Sequence, residues 1–243
     1  MNNLYSRNFK IYVDFDGTIT TKDIGEHMFL EFGDPEECKS IISKWLNETL
    51  NSKEVWFQLC ATIKNFDEAK FKLFLDGITI DPFFNEFITY TKEKDYDVTI
   101  LSDGLDYYID KIRERENFSE LPLFCNKLTF DKNNKLIPLF PYTDEECSKC
   151  ANCKRNHILS SSNDEDFTIY IGDGWSDTCA AEHCDFIFAK RSLLKYCEQN
   201  GLPYFPFNTF EDVQNIVEQL STKKKLKKRH RALLKRKEVY KQG

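Results

Sequence analysis

Asp14 and Asp16 stand two residues apart at the end of an apolar stretch, Phe9 to Val13, and Gly17 and Thr18 follow them. Phe9, Ile11 and Val13 alternate with polar or half-polar neighbours, the pattern of a buried strand, which puts both carboxylates at its C-terminal end. In an open α/β sheet, ligands bind beyond the carboxyl ends of the strands. Gly17 lets the chain turn sharply out of the sheet. Alone, D-x-D-G also suits a turn or part of a calcium loop. Two more apolar stretches end in the same manner. Asp97 to Leu101 runs into Ser102-Asp103-Gly104, and Phe167 to Ile171 runs into Gly172-Asp173-Gly174-Trp175-Ser176-Asp177, with Lys154 ahead of the latter. Any one of these ends also reads as a solvated turn. Parallel strands would bring all three to one edge of the sheet.

The chemistry these groups suit is phosphoryl transfer. A phosphomonoester carries about two negative charges, so bare carboxylates would repel it and a divalent cation is needed to screen them. Hard oxygen ligands in small number suit Mg²⁺, which keeps several waters. Asp14 is the candidate nucleophile, because a carboxylate can form an aspartyl-phosphate. Asp16 would protonate the leaving alkoxide and later deprotonate the attacking water. Ser102 and Lys154 would hold the transferring oxygens. Asp173 would complete the metal site, and Asp177 would ligate or orient it.

These groups need a scaffold, and the pattern supplies one. After Thr20 the sequence reads as helical for about 70 residues. Asp23 is placed to cap a first helix that Gly33-Asp34-Pro35 ends. Further helices are expected over 36–50, 52–63 and 67–75. Asp81-Pro82 starts another, running to about Lys94, with the proline in its first turn. Residues 105–116 form an amphipathic helix, and 123–130 with 135–140 a hairpin. A short helix over 155–160, strands over 185–189 and 204–207, and a helix over 211–220 complete the pattern. Strands alternating with helices predict an α/β fold, a Rossmann-like parallel sheet with helices on both faces.

The motif set resembles the haloacid dehalogenase superfamily, most of whose members are phosphohydrolases. Asp14 and Asp16 resemble its motif I, Ser102 motif II, Lys154 motif III, and Asp173 with Asp177 the G-D-x-x-x-D form of motif IV. The resemblance implies that the Asp16 carbonyl also binds the metal, and that Thr18 and Gly104 line the phosphate pocket. It further implies a hydrolase core over 1–18 and 82–220, and a small helical cap over 19–81 like that of the phosphoserine-phosphatase branch. Asp103 departs from the Ser-Gly-Gly typical there, and its carboxylate suits a phosphate site only if it points away. The run Cys147 to Lys154, then IGDGWSDTCAA, then the stretch from Ile187 to Val213, is similar to the methionine-salvage phosphatases. Those act on 2-hydroxy-3-keto-5-methylthiopentenyl-1-phosphate; phosphoethanolamine and phosphocholine phosphatases are more distant relatives. Between Arg7 and Arg113 there is no arginine, which disfavours a substrate carboxylate, because Lys replaces Arg's bidentate grip poorly. Phe29, Phe32, Trp45, Trp56 and Phe57 suit either an apolar pocket or the cap's own core.

Composition bounds the remainder. Of 243 residues 41% are apolar and 21 are Phe, enough for a sizeable core and against disorder. No apolar run approaches the roughly 20 residues of a membrane helix, and residues 1–7 show no signal peptide. Nine cysteines without a secretory signal read as reduced thiols, so the expected compartment is the cytoplasm. Cys147, Cys150 and Cys153 have a zinc-like spacing but want a fourth ligand, for which Cys125 or His157 is a candidate. The net charge of −6 is uneven: residues 221–243 carry +10 and residues 1–220 carry −16. The basic segment reads as a solvated extension, as a dock onto the acidic body, or as a contact for nucleic acid or an acidic membrane. A nucleic-acid-associated phosphatase and a silent interaction module are therefore the competing functions. Every catalytic position carries a competent residue, which argues against silence. Oligomeric state is not legible.

Overall fold

A computed structural model of the chain describes residues 8–145, 147 and 149–242; the expectation about residues 1–7 lies outside them. In chain order the elements are β1 (Phe9–Val13), α1 (Ile24–Phe32), α2 (Pro35–Leu46), α3 (Ser52–Thr62), α4 (Glu68–Asp76), α5 (Phe84–Glu93), β2 (Asp97–Leu105), α6 (Asp106–Arg115), β3 (Leu123–Phe130), β4 (Leu136–Leu139), α7 (Lys154–Ser161), β5 (Phe167–Gly172), α8 (Thr178–Glu182), β6 (Phe186–Ala189), α9 (Arg191–Gln199), β7 (Phe205–Pro206), α10 (Phe210–Thr222) and α11 (His230–Gln242). The strand order is β4-β3-β2-β1-β5-β6-β7. This is the expected α/β fold: β2, β1, β5, β6 and β7 pair in parallel, and β3 and β4 form an antiparallel hairpin.

The residues divide into two compact units, one of 1–14, 80–101 and 154–243, the other of 15–79 and 102–153. In the first, β1 pairs parallel with β2 on one side and β5 on the other, Val13 opposite both Ile100 and Ile171. Strands buried on both faces read as near-continuous apolar runs, and Ile11, Val13, Ile100, Leu101, Ile169 and Ile171 are all buried. Phe84, Phe87 and Phe210 pack α5 against α10, where Asp81 accepts from the Phe83 and Phe210 amides. Asp81 thus caps the turn ahead of α5, so that helix begins at Phe84, two residues beyond the proline expected in its first turn.

The chain does not close at α10. Residues 228–242 continue onto the first unit, and the expectation of a solvated extension is corrected. Arg236 reaches the buried Asp185 at 2.8 Å, and Arg229 donates to the carbonyls of Ala181 and Glu182 at the end of α8. Lys235 pairs with Glu182, and Arg231 donates to the Asn200 carbonyl. Asp185 also accepts from the Thr168 amide and hydroxyl, so a buried carboxylate is matched on every side.

In the second unit the helices begin on side-chain caps: Asp23 on α1, Asp34 ahead of Pro35 on α2, an Asn51–Glu54 capping box on α3, and Asp67 on α4. Helix α2 stops at Leu46, short of the expected residue 50, where Glu48 takes a φ of 56°. Phe66, Phe71, Tyr107 and Phe130 form a ring cluster with centroids 5.2–5.8 Å apart, joining α4, α6 and β3. The Arg115 guanidinium donates to the carbonyls of Leu75 and Ile78. These contacts are why residues 102–153 cohere with the helical insertion. Phe29 and Trp56 are core here, with ring centroids 5.7 Å apart, whereas Phe57 is half exposed beside Phe140.

Candidate active site

Asp14 lies at the end of β1, with its amide bonded to the Ile171 carbonyl of β5. Lys154, the first residue of α7, points its ammonium at Asp14 Oδ1, 2.6 Å away, and at Asp177 Oδ1, 2.7 Å away. Asp14, Lys154 and Asp177 are all buried. Asp177 Oδ2 accepts from the amides of Asp173 and Gly174 at 3.0 and 2.9 Å, which closes the turn after β5. The Tyr170 hydroxyl adds a 2.5 Å bond to Asp177 Oδ1. All four acceptor positions of that carboxylate are therefore taken.

Charge does not balance in this cluster. Carboxylate oxygens of Asp14, Asp173 and Asp177 lie within 4.8 Å of one another, and Lys154 is the cation bonded between two of them. Burial, reinforced by Asp177 and then Asp173, pushes the Asp14 carboxyl well above the usual range against the pull of Lys154. Burial opposes the charge on Lys154 too, but Asp14 and Asp177 overcome it and raise its pKa. A surplus of hard carboxylate oxygens in a closed space fits a divalent cation such as Mg²⁺. Arg191 Nη1, 3.0 Å from Asp173 Oδ2, and the Lys190 ammonium, which Asp173 and Asp14 also attract, offset part of the surplus.

Asp16, Thr18, Ser102 and Gly104 belong to the second unit. Gly17 takes φ 74° in the turn, and its amide donates to Thr20 Oγ1 and the Lys22 carbonyl. That is the left-handed conformation expected of a glycine there. Thr18 is fully buried in this turn. Asp16 Oδ1 accepts from the Ile24 amide at 3.1 Å, and Oδ2 from the Tyr108 hydroxyl at 2.8 Å. Ser102 Oγ lies 3.4 Å from Asp16 Oδ2 and accepts from the Gly104 amide at 2.9 Å. A Cβ on Gly104 would run into Tyr108 Oη, Asp16 Oδ2 and Ser102 Oγ, so those side-chain ends would have to shift to admit one. Ser102 to Leu105 continue β2 rather than forming a loop after it. Asp103 Oδ1 accepts from the Asn152 amide at 2.9 Å and from Asn126 Nδ2, while Asn152 Nδ2 donates to the Ser102 and Phe124 carbonyls. The Asp103 carboxylate thus anchors the end of the cysteine-rich run.

Among the described residues, Asp14, Asp173 and Asp177 form the only group of three or more His, Cys, Asp and Glu ligand atoms close enough to share an ion. Cys147, Cys150 and Cys153 do not form one. Cys153 donates its amide to the Tyr142 carbonyl, and Cys147 its amide to Asp144.

The family model described as Putative Phosphatase matches residues 9–200, a span that contains every one of these groups. The chain belongs to that family. A 2-hydroxy-3-keto-5-methylthiopentenyl-1-phosphate phosphatase of Lysinibacillus sphaericus is 32% identical over 219 residues, covering 86% of this chain and 94% of the relative. One from Bacillus cereus is 31% identical, covering 85% and 94%. The fold is similar to a structure titled as a phospho-aspartyl intermediate analogue of phosphoserine phosphatase. Its TM-score is 0.66 at 21% identity, over 88% of this chain and 98% of that one. The chain is accordingly a phosphatase. Among its described residues no helix is long and apolar enough to cross a membrane.

In this member of the Putative Phosphatase family, three residues bonded to the candidate groups escaped sequence reasoning: Tyr108 beside Asp16, Tyr170 beside Asp177, and Asn152 beside Ser102 and Asp103. Tyr108 and Tyr170 fall on the apolar faces of a helix and a strand, where they read as core. The available signal was that a buried tyrosine hydroxyl usually has a partner.

Proposed function

We propose that this phosphatase is a Mg²⁺-dependent phosphomonoester hydrolase acting on a small phosphorylated metabolite through an aspartyl-phosphate on Asp14. The observation that carries this reading is the buried Lys154 ammonium held between Asp14 and Asp177 in an over-acidic cluster with Asp173. Asp14 and Asp173 would hold the ion, with the Asp16 carbonyl as a third ligand. Asp177 would fix Lys154 and the turn that presents Asp173. The ion, when bound, supplies charge neutralisation for the phosphoryl oxygens.

An Asp14 carboxylate oxygen attacks phosphorus, and the bond from phosphorus to the leaving oxygen breaks. Asp16 gives that oxygen its proton. Asp16, now a carboxylate, takes a proton from water, which attacks the phosphoryl group and returns Asp14 to its free form with release of inorganic phosphate. Ser102 and Lys154 hold the transferring oxygens, and Thr18 and Gly104 line the phosphate pocket.

For the substrate, the relatives named as 2-hydroxy-3-keto-5-methylthiopentenyl-1-phosphate phosphatases support that phosphate, the methionine-salvage reading. The lack of arginine between Arg7 and Arg113 favours a substrate without a carboxylate. Residues 19–81 would act as the selecting cap. Hydrolysis of an aryl phosphate with Mg²⁺ by wild type and Asp14→Asn tests the class; full activity in the variant refutes the nucleophile. A panel of this phosphate, phosphoserine, phosphocholine and phosphoethanolamine tests the substrate. Preference for phosphoserine would refute the arginine argument.

A further inference from the structure

Tyr108 is fully buried on α6, and its hydroxyl donates to Asp16 Oδ2 at 2.8 Å. The other carboxylate oxygen is held by the Ile24 amide, the first residue of α1. These two donors, one to each oxygen of Asp16, come from different helices. A carboxylate that must exchange a proton within hydrogen-bond reach of a reacting oxygen works only if its rotation is restricted. The backbone amide can only donate. A tyrosine hydroxyl can donate to a carboxylate and can equally accept from a carboxylic acid. Tyr108 is therefore suited to hold Asp16 in both states of its cycle, which the Ile24 amide cannot do. The backbone also leaves room for that hydroxyl: a Cβ at Gly104 would collide with it.

We propose that Tyr108 is a positioning residue of this phosphatase, orienting the Asp16 carboxyl for proton transfer to the leaving oxygen and from the attacking water. The inference rests on the acid–base role proposed for Asp16. Its consequence is that the hydroxyl matters only through Asp16, and matters most when the leaving group needs a proton.

The test compares wild type, Tyr108→Phe, Asp16→Asn and the double variant on an alkyl phosphate and on p-nitrophenyl phosphate, whose leaving group departs without help. Phenylalanine keeps the buried ring, and thermal melting reports whether the fold is kept. For Tyr108→Phe, kcat on the alkyl phosphate is expected to fall about ten-fold or more, a share of the roughly 10²–10⁴ that a positioned acid contributes. KM should change less than about two-fold, and single-turnover release of nitrophenol should be nearly unaffected. In the Asp16→Asn background, Tyr108→Phe should cost nothing further. Equal losses on both substrates at the single-turnover step, a rise in KM alone, or an additive loss in the double variant would overturn the proposal while leaving the phosphatase reading intact. Full activity of Asp16→Asn on the alkyl phosphate would instead remove the acid–base role, and the proposal with it.

Discussion

The ammonium of Lys154 lies 2.6 Å from Asp14 Oδ1, and neither residue is more than 4% exposed. A cation in that position is the buried counter-ion of two carboxylates, Asp14 and Asp177. Lys154→Met should therefore destabilise the fold by about 3–5 kcal/mol, the usual cost of leaving a buried charge unpaired. Urea unfolding measures this, and turnover should be lost at the same time. An unchanged midpoint would mean that the lysine is not a structural counter-ion.

Removing divalent cations with EDTA should abolish turnover, and added Mg²⁺ should restore it. Asp173→Asn should raise the Mg²⁺ concentration needed for half-maximal restoration and should weaken Mg²⁺ binding seen by calorimetry. Asp177→Asn should act differently, because Asp177 holds Lys154, Tyr170 and two turn amides. It should lower the melting temperature more than Asp173→Asn does. The reverse ranking would show that Asp177 is primarily a metal ligand.

Deleting residues 222–243 should destabilise the first unit rather than trim a loose end. The deletion strips Arg229 and Arg236 from the buried Asp185. Arg236→Met alone should cost about 3 kcal/mol, because it leaves a buried carboxylate short of a partner. Adding Asp185→Asn to it should recover part of that loss. A truncated chain that melts like the full one would return the segment to the status of a solvated extension.

His157 and His183 should make the fold weaker in acid. Burial lowers the pKa of His157 from 6.5 to about 4 and that of His183 in the same direction. Between those values the unfolded chain binds protons that the folded chain refuses, so stability is complete above pH 6.5 and falls as pH drops toward 4. Asp14, raised by burial, acts with the opposite sign from its ordinary value of 3.8 upward, so it opposes the histidines within the same window. Chemical denaturation at pH 7 and pH 5 checks the sign. His157→Gln should shrink the difference, and an undiminished drop in that variant would exclude His157 as a source.

Gly104→Ala should abolish turnover with little loss of secondary structure. The added methyl would displace the Tyr108 hydroxyl, the Asp16 carboxylate or Ser102 Oγ, and each is part of the proposed machinery. Circular dichroism with steady-state kinetics separates the two effects. Wild-type kcat in this variant would show that the crowding is relieved without touching Asp16.

How much of this was legible before folding follows from range. The alternation in β1, β2 and β5 is a local signal of burial, and polar residues at their ends mark where chain leaves the sheet. The α/β class and most element boundaries could therefore be read, and Asp14, Asp16, Ser102, Lys154, Asp173 and Asp177 could be named as candidates. What pairs with them could not. Tyr108 is 92 residues from Asp16, and Lys154 is 140 from Asp14. Whether a buried tyrosine merely fills space or aims its hydroxyl at a carboxylate depends on register and rotamer, which periodicity does not encode. Asp103 shows the same limit: its type suggested a conflict with phosphate, and its hydrogen bonds to Asn152 and Asn126 place its charge elsewhere. The basic segment shows it most plainly. Composition alone made it a tail, but Asp185 is buried by the packing of β5, β6 and α8, and only that burial makes a distant arginine worth ordering. Local chemistry can be read from adjacent residues; compensation of buried charge is a long-range property, decided when the chain has folded.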